Sequence, residues 1–372
     1  MVAAGVAIAA TAGFGWAQGW RTGVLLGLGL VLGAVLWGAA FSFAAAWRAV
    51  LEQRRTAGLR AQFLLAAGTA AMFLPALAAG QVLGQPVRGF VFPMGYALAA
   101  GAFMFGFGMQ LGGGCGSGTL AAAGAGAGRS WLTLAGFVGG ATFAARTSEI
   151  WAVWPMLPAV SLPARFGTLA TVAGVLAVFG LLYGLAWWVE RRRHGAVVPI
   201  HGPAVPGRMS LGAGAVALSL AGFATLVVAG RPWTITAAFP LWGSRAIAWT
   251  GADDPAFWRY WEEPTRVETF LNPLASNATT VMDIGVIAGS SLIAWGWRRR
   301  AEPWRGPWVG PAVAALLGGT LMGAGAVMAT GCNISGFLAG VASGSLHGWV
   351  WFGVAFCGTA AGLPARRLFG PR

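Results

Sequence analysis

Seven stretches of this chain, Thr22 to Trp47, Arg60 to Gly80, Ser130 to Ala145, Phe166 to Val189, Ser210 to Gly230, Thr279 to Trp297 and Gly310 to Met328, run for about 16 to 26 residues almost without charge. A helix of roughly 20 apolar residues crosses the hydrocarbon core of a bilayer. The runs recur from end to end of a 372-residue chain that is 57% hydrophobic and 9% charged, so a water-soluble core is excluded. A membrane barrel is excluded as well, because its short strands would alternate inward and outward residues. The fold class that follows is all-α: a polytopic membrane protein.

The net charge of +14 invites a nucleic-acid reading, but its distribution argues against one. All 24 basic residues are arginines, and 16 of them cluster beside apolar runs: Arg48, Arg54, Arg55, Arg60; Arg129; Arg191, Arg192, Arg193, Arg208; Arg298, Arg299, Arg300, Arg305; Arg366, Arg367, Arg372. Basic loops resist translocation, so this is the pattern of cytoplasmic loops touching anionic membrane lipids, with no nucleic acid involved. Placing the clusters inside gives about nine spans and a cytoplasmic C-terminus, as in a bacterial inner-membrane protein. The stretch from Arg231 to Asn277, which carries five of the ten acids, then lies outside. Tryptophans near the span ends, among them Trp16, Trp20, Trp187, Trp188, Trp295, Trp297, Trp349 and Trp351, read as an interfacial belt. Residues 1–20 lack the basic start of a signal peptide and fit either an extra helix or an interfacial one.

Two stretches repeat. In "GFGMQLGGGCGSG" and "GAGAVMATGCNIS", Gly106, Gly108, Gly114 and Cys115 fall on Gly323, Gly325, Gly331 and Cys332 at a constant offset of 217. The span count gives the copies opposite directions, so the chain divides into a first repeat with a connector helix (1–194), a linker (195–208) and a second, inverted repeat (209–372). Inverted repeats characterise secondary transporters, whose sites lie where interrupted helices meet near the midplane. Backbone freed by such a break cannot face lipid and must be buried or line a polar cavity.

The residue types at the breaks suit a small anion. Gly114, Gly116 and Gly331 let backbone approach a ligand, and the helix start after each break offers unpaired N–H donors beside the hydroxyls of Ser117 and Ser335 and the amide of Asn333. No arginine lies within either break. Cys115 and Cys332, with no CxxC pattern, read as neutral thiols: weak S–H donors with a polarisable sulfur. Cys357 reads as apolar filler, and the glycines Gly29, Gly33, Gly358 and Gly362 as close-packing sites. Asp283, an acid within an apolar run, costs roughly 2.5–3.5 kcal/mol at a helix centre, so it has either a structural partner or a proton-coupling role. His347 fits a cap or a proton relay.

At "FGMQLGGGCGSGTL", "GCNISGFLAGVASGSLHGWVWF", "RPWTITAAFPLWG" and "TTVMDIGVIAG" the chain resembles the YeeE/YedE family of sulfur-transport membrane proteins, with wording nearer the YedE branch. The resemblance implies an hourglass-like bundle in which Cys115 and Cys332 pass thiosulfate along a central pathway, and a TusA-like sulfur carrier as partner. The family's third cysteine is replaced here by Ser42, between Phe41 and Phe43. Transport of thiosulfate or a related sulfur anion, with no cofactor, is the leading expectation. A selenium species as cargo, or a membrane thiol–disulfide oxidoreductase cycling the two thiols, are the alternatives. The order of the two cysteines along the route stays open.

Overall fold

The computed structural model describes residues 11–202, 209–296, 301 and 309–369. Arg208, Trp297, Arg298 to Arg300, Arg305, Arg372 and part of the expected linker lie outside the described residues. The long helices are α1 (Trp20–Gly38), α2 (Phe43–Gln53), α3 (Ala57–Ala79), α4 (Tyr96–Gly112), α5 (Gly116–Gly124), α6 (Gly128–Arg146) and α7 (Thr168–His194). They continue with α8 (Leu211–Ala229), α9 (Ala238–Thr250), α10 (Ala278–Gly296), α11 (Val309–Met328) and α12 (Leu346–Arg366). A π-helical turn, Asn333–Leu338, and a short helix, Ala339–Ala342, lie between the last two. Among the described residues, sheet is confined to two pairs of two-residue strands.

Eight helical stretches among the described residues are long and apolar enough to cross a membrane. The expected fourth crossing, α6, is helical throughout its 19 residues but is not among those eight, since an arginine stands near each end. The first crossing is not one helix as expected: Ala39 to Ser42 interrupt it, with Ala40 at φ 50°, and the Ser42 hydroxyl caps α2 by accepting from Ala45 N at 3.3 Å.

Helix ends gather at two poles. At one, Arg367 reaches Glu52 at 3.3 Å, His194 meets the Gln53 carbonyl at 2.9 Å and Ala301 N donates to Ala125 O at 3.0 Å. This is the arginine-rich pole. At the other, Arg88 N donates to Gly230 O at 2.8 Å, Arg146 meets Asp253 at 2.7 Å and Leu162 N donates to Gly344 O at 2.7 Å.

The packing of α1 on α10 is matched by that of α8 on α3, α6 on α11 by α12 on α4, and α2 on α12 by α9 on α6. Glycines make these approaches possible, because small residues let membrane helices touch through backbone. A Cβ added to Gly101 would lie 2.6 Å from Gly325 O, and one added to Gly318 would lie 2.6 Å from Gly108 O. Gly29 and Gly362 are packing sites as expected, with Cβ positions 2.5 Å from Met282 O and 2.7 Å from Phe107 O. The connector α7 rests on α3 and is the most exposed of the long helices.

Trp16, Trp20, Trp187, Trp188 and Trp295 are exposed, as a belt requires, but Trp351 is fully buried. Its place in the second turn of α12 turns the ring inward, where its Nε1 donates to Gly331 O at 3.2 Å. The belt reading is therefore wrong for Trp351. The expectation for residues 231–277 needs a similar correction. Pro232 to Thr236 form a buried, non-helical stretch that runs into α9, and only the remainder carries the exposed acids.

Candidate functional site

Each break is built the same way. After α4, Gly113 adopts φ 83°, which glycine tolerates without strain, and Cys115 is extended at φ −88°, ψ −176° before α5 begins. After α11, Thr330 takes φ 58°, Gly331 φ 144°, and Cys332 is extended at φ −104°, ψ −166°. Gly331 is required twice over, by its backbone angle and because a Cβ there would lie 2.7 Å from Gly336 N. The chain then restarts on the cysteine carbonyls: Thr119 N donates to Cys115 O at 2.8 Å, and Gly336 N to Cys332 O at 2.7 Å.

Both thiols are free and 1% exposed. Cys115 Sγ lies 3.5 Å from Ser117 Oγ. Cys332 Sγ lies 3.6 Å from Ser335 Oγ, which also accepts from Cys332 N at 3.1 Å. The first turn of α5 joins the two breaks. A Cβ on Gly116 would sit 3.6 Å from Cys332 Sγ and 3.6 Å from Thr236 Cγ2. One on Gly118 would sit 3.5 Å from Cys115 Sγ and 4.0 Å from Ser42 Oγ. Cys115, Cys332, Ser42, Ser117 and Ser335 thus share one region, and Gly114 faces Thr119 Oγ1 within it.

Asn333 is fully buried, and neither its side-chain oxygen nor its nitrogen has a partner. Such groups are rarely left unpaired in folded proteins, which sets Asn333 apart from the other buried polar side chains at the second break. Trp233 Nε1 and Gln110 Oε1 are in the same condition. A small apolar cavity lined by Leu65, Thr69, Trp233, Ile334 and Leu338 adjoins the second break.

Asp283 and His347 are fully buried as well, yet no hydrogen bond or ion pair joins either to a cysteine. Both Asp283 oxygens lack a partner, so the structural-partner expectation has no counterpart among the described residues. His347 Nδ1 pairs with Ser345 Oγ at 2.6 Å, its ring meets Phe92 edge-on at 5.2 Å, and Gly340 lies against its Nε2. Cys357 is exposed on α12.

Three contributors escape sequence reasoning. Arg129, read as a topology signal, donates to Leu111 O at 2.5 Å and brings its Cζ within 3.7 Å of a Cβ position on Gly113, so a guanidinium does stand at the first break. Trp351 braces the second through Gly331 O, and Thr236 lies against Gly116. Arg129 and His347 hold equivalent places, as the second residue of α6 and of α12. Among the described residues no three His, Cys, Asp or Glu side chains cluster to hold a metal.

Membrane-crossing helices on both sides of two buried, cysteine-bearing breaks define a class: polytopic membrane proteins whose helix interruptions face the protein interior. A family model described as "Sulphur transport" matches residues 38–361, and the chain belongs to that sulfur-transport family, the YeeE/YedE family of the motif resemblance. The match does not separate the YedE branch from the rest. No curated protein matches the chain.

Proposed function

We propose that the chain is a permease carrying thiosulfate or a related small sulfur anion across the bacterial inner membrane, with its arginine-rich pole in the cytoplasm. One observation carries the reading: α5 seats both thiols around a single turn, with Gly118 against Cys115 and Gly116 against Cys332. An anion at that turn meets two S–H donors, the hydroxyls of Ser117 and Ser335, the open amide of Asn333 and the positive end of α5. None of these carries a full charge, so the site binds weakly enough to release its guest. Ser42, beside Gly118, supplies a further hydroxyl where the family carries sulfur.

The exchange of packing partners between residues 1–194 and 209–372 supports an inverted repeat, because swapping the halves maps each of those contacts onto another. Asp283, buried and unpartnered, is the candidate proton carrier. His347, held by Ser345, reads as a brace for the second break. Asp283→Asn should flatten the pH dependence of uptake, and an unchanged profile removes Asp283 from the cycle. A TusA-like carrier is the expected partner at the cytoplasmic pole; its failure to co-purify with membranes holding the permease would count against it. The main test is uptake of 35S-thiosulfate by cells expressing the chain or its Cys332→Ala variant. Equal uptake by both sinks the thiol route.

A further inference from the structure

Several arginines of the arginine-rich pole have partners. Arg55 and Arg60 pair with Glu190, Arg367 pairs with Glu52, and Arg191 and Arg192 lie over the rings of Trp187 and Trp188. Arg48, Arg129 and Arg366 differ: among the described residues none of the three makes an ion pair, and all are half-buried. They come from three helices and meet around Gln110. Gln110 Nε2 donates to Ala44 O on α2 at 3.2 Å, its Cβ lies 3.3 Å from a Cβ position on Gly362 of α12, and the next carbonyl, Leu111 O, accepts from Arg129 at 2.5 Å. Arg48 is one turn beyond Ala44 and Arg366 one turn beyond Gly362, and both helices run toward the pole where Arg367 meets Glu52. The three side chains therefore ring the pole side of Gln110, near enough for Arg48 to feel the charges of Arg366 and Arg129, and Arg129 that of Arg366.

Like charges held together oppose folding unless something negative lies among them. The acid in range of Arg48, Glu52, already accepts from Arg367 at 3.3 Å. Two atoms at the centre of the ring are open. Arg129 Nε is shut from water with no acceptor, and Gln110 Oε1, on a fully buried side chain, has no donor. Buried polar atoms without partners are costly, and the first of these is a donor on a full positive charge. A guanidinium offers its N–H groups in a planar fork that matches a tetrahedral oxyanion, and three of them suit two negative charges. A water bound beside such an anion would donate to Gln110 Oε1.

We propose that Arg48, Arg129 and Arg366 form a binding site for a tetrahedral dianion of the sulfate class, filled from the cytoplasm, and that its occupancy brakes transport. The coupling lies in Arg129. Its Nη2 holds the last turn of α4 at Leu111 O, and its Cζ stands 3.7 Å from the Cβ position of Gly113, where the first break begins. An anion on Nε leaves the Nη2 bond in place and ties α6 to α2 and α12 as well. The end of α4 and the glycine turn leading to Cys115 are then pinned from three sides. A ligand that favours one arrangement of a moving part opposes the others by its differential affinity, so oxyanion accumulated inside slows the entry of more.

The brake rests on the permease reading and the site does not, so two assays separate them. In the first, full-length protein in uncharged detergent is titrated with 35S-sulfate by equilibrium dialysis. Arg48→Gln and Arg366→Gln, on half-buried side chains, should each weaken binding about tenfold, the worth of one charge-assisted hydrogen bond. Arg366→Lys should recover part of the loss, and Arg54→Gln, exposed at the same pole, should change nothing. In the second, protein sits in phosphatidylcholine vesicles with its arginine-rich pole inward. Sulfate loaded inside should slow 35S-thiosulfate uptake severalfold relative to chloride at equal ionic strength, and Arg366→Gln should escape the slowing. Binding that weakens in both glutamine variants but not in Arg54→Gln supports the site even if no protein transports thiosulfate. Sulfate binding unchanged in both variants, or lost equally in Arg54→Gln, overturns it. So does displacement of sulfate by added phosphatidylglycerol, which would make the occupant a lipid headgroup. Uptake no slower over internal sulfate than over chloride, in protein that binds sulfate, overturns the brake.

Discussion

Gly116, the first residue of α5, stands against the thiol of Cys332: a methyl group on it would lie 3.6 Å from Sγ. The nearest neighbours of that methyl are all at ordinary contact distance, so alanine fits there without moving backbone. Gly116→Ala should therefore fold with a melting temperature within a few degrees of wild type, helped by alanine's better helix propensity of about 1 kcal/mol. It should also occupy the space between the breaks and lower thiosulfate uptake at least about tenfold, a barrier increase of about 1.4 kcal/mol. Stable protein that transports at the wild-type rate would mean that the anion does not pass α5 on this side.

The exchange relation between the halves makes a paired stability prediction. A Cβ on Gly140 runs into Thr320 O, and one on Gly358, its counterpart, runs into Phe103 O. Backbone cannot yield as a flexible side chain does, so each alanine should cost about 1–3 kcal/mol. Gly139→Ala, with nothing within 4 Å, is the matched control and should be neutral. Thermal unfolding in detergent decides it; a glycine pair of unlike sensitivity breaks the relation.

At the arginine-rich pole, Glu190 is a buried carboxylate with every lone pair engaged. It accepts from Thr56 N at 3.0 Å, Thr56 Oγ1 at 2.7 Å, Val198 N at 3.1 Å and Arg60 Nη2 at 3.2 Å. Glu190→Ala strands the buried Arg60 charge and should cost about 3–5 kcal/mol. Arg60→Leu in the same protein should recover much of the loss. A double variant no more stable than Glu190→Ala alone would show that the pair is not the source.

The apolar runs and the two Gly-Cys breaks were readable in the sequence because lipid permits few alternatives: a charge-free run must be helix, and a glycine cluster inside one must be covered. Other features were hidden for physical reasons. The interruption at Ala39 to Ser42 has no glycine in it and is made by Ala40 at positive φ. The stretch Pro232 to Thr236 reads as a polar loop because buried irregular chain has no period to betray it. Trp351 looked interfacial since a ring near a helix end serves equally as belt or brace, and only packing chooses. Arg129 satisfied the topology rule so well that its reach to Gly113 left no separate trace.

Beyond the membrane, Asp253 holds the polar segment to α6. Its carboxylate pKa lies below the ordinary value, chiefly because Arg146 Nε donates to it at 2.7 Å, with Asp254 N at 2.9 Å and Trp258 Nε1 at 3.1 Å also donating. A depressed folded pKa contributes stability that is fully present above the ordinary value of about 3.9 and fades as pH falls through the folded one. Amide exchange of residues 251–262 should stay slow down to about pH 4 in the wild type. Arg146→Gln should bring the loosening to higher pH. Identical pH profiles would place the anchor elsewhere.

The glycine contacts at Gly101, Gly108, Gly318 and Gly325 bring α4 and α11 together main chain to main chain, with no side chains between to act as bearings. Such a seam has no slack, since sliding one helix past the other drives a carbonyl into an α-carbon within a fraction of an ångström. The α4–α11 seam is thereby stiff, and any rearrangement of the bundle has to carry those two helices together as one body.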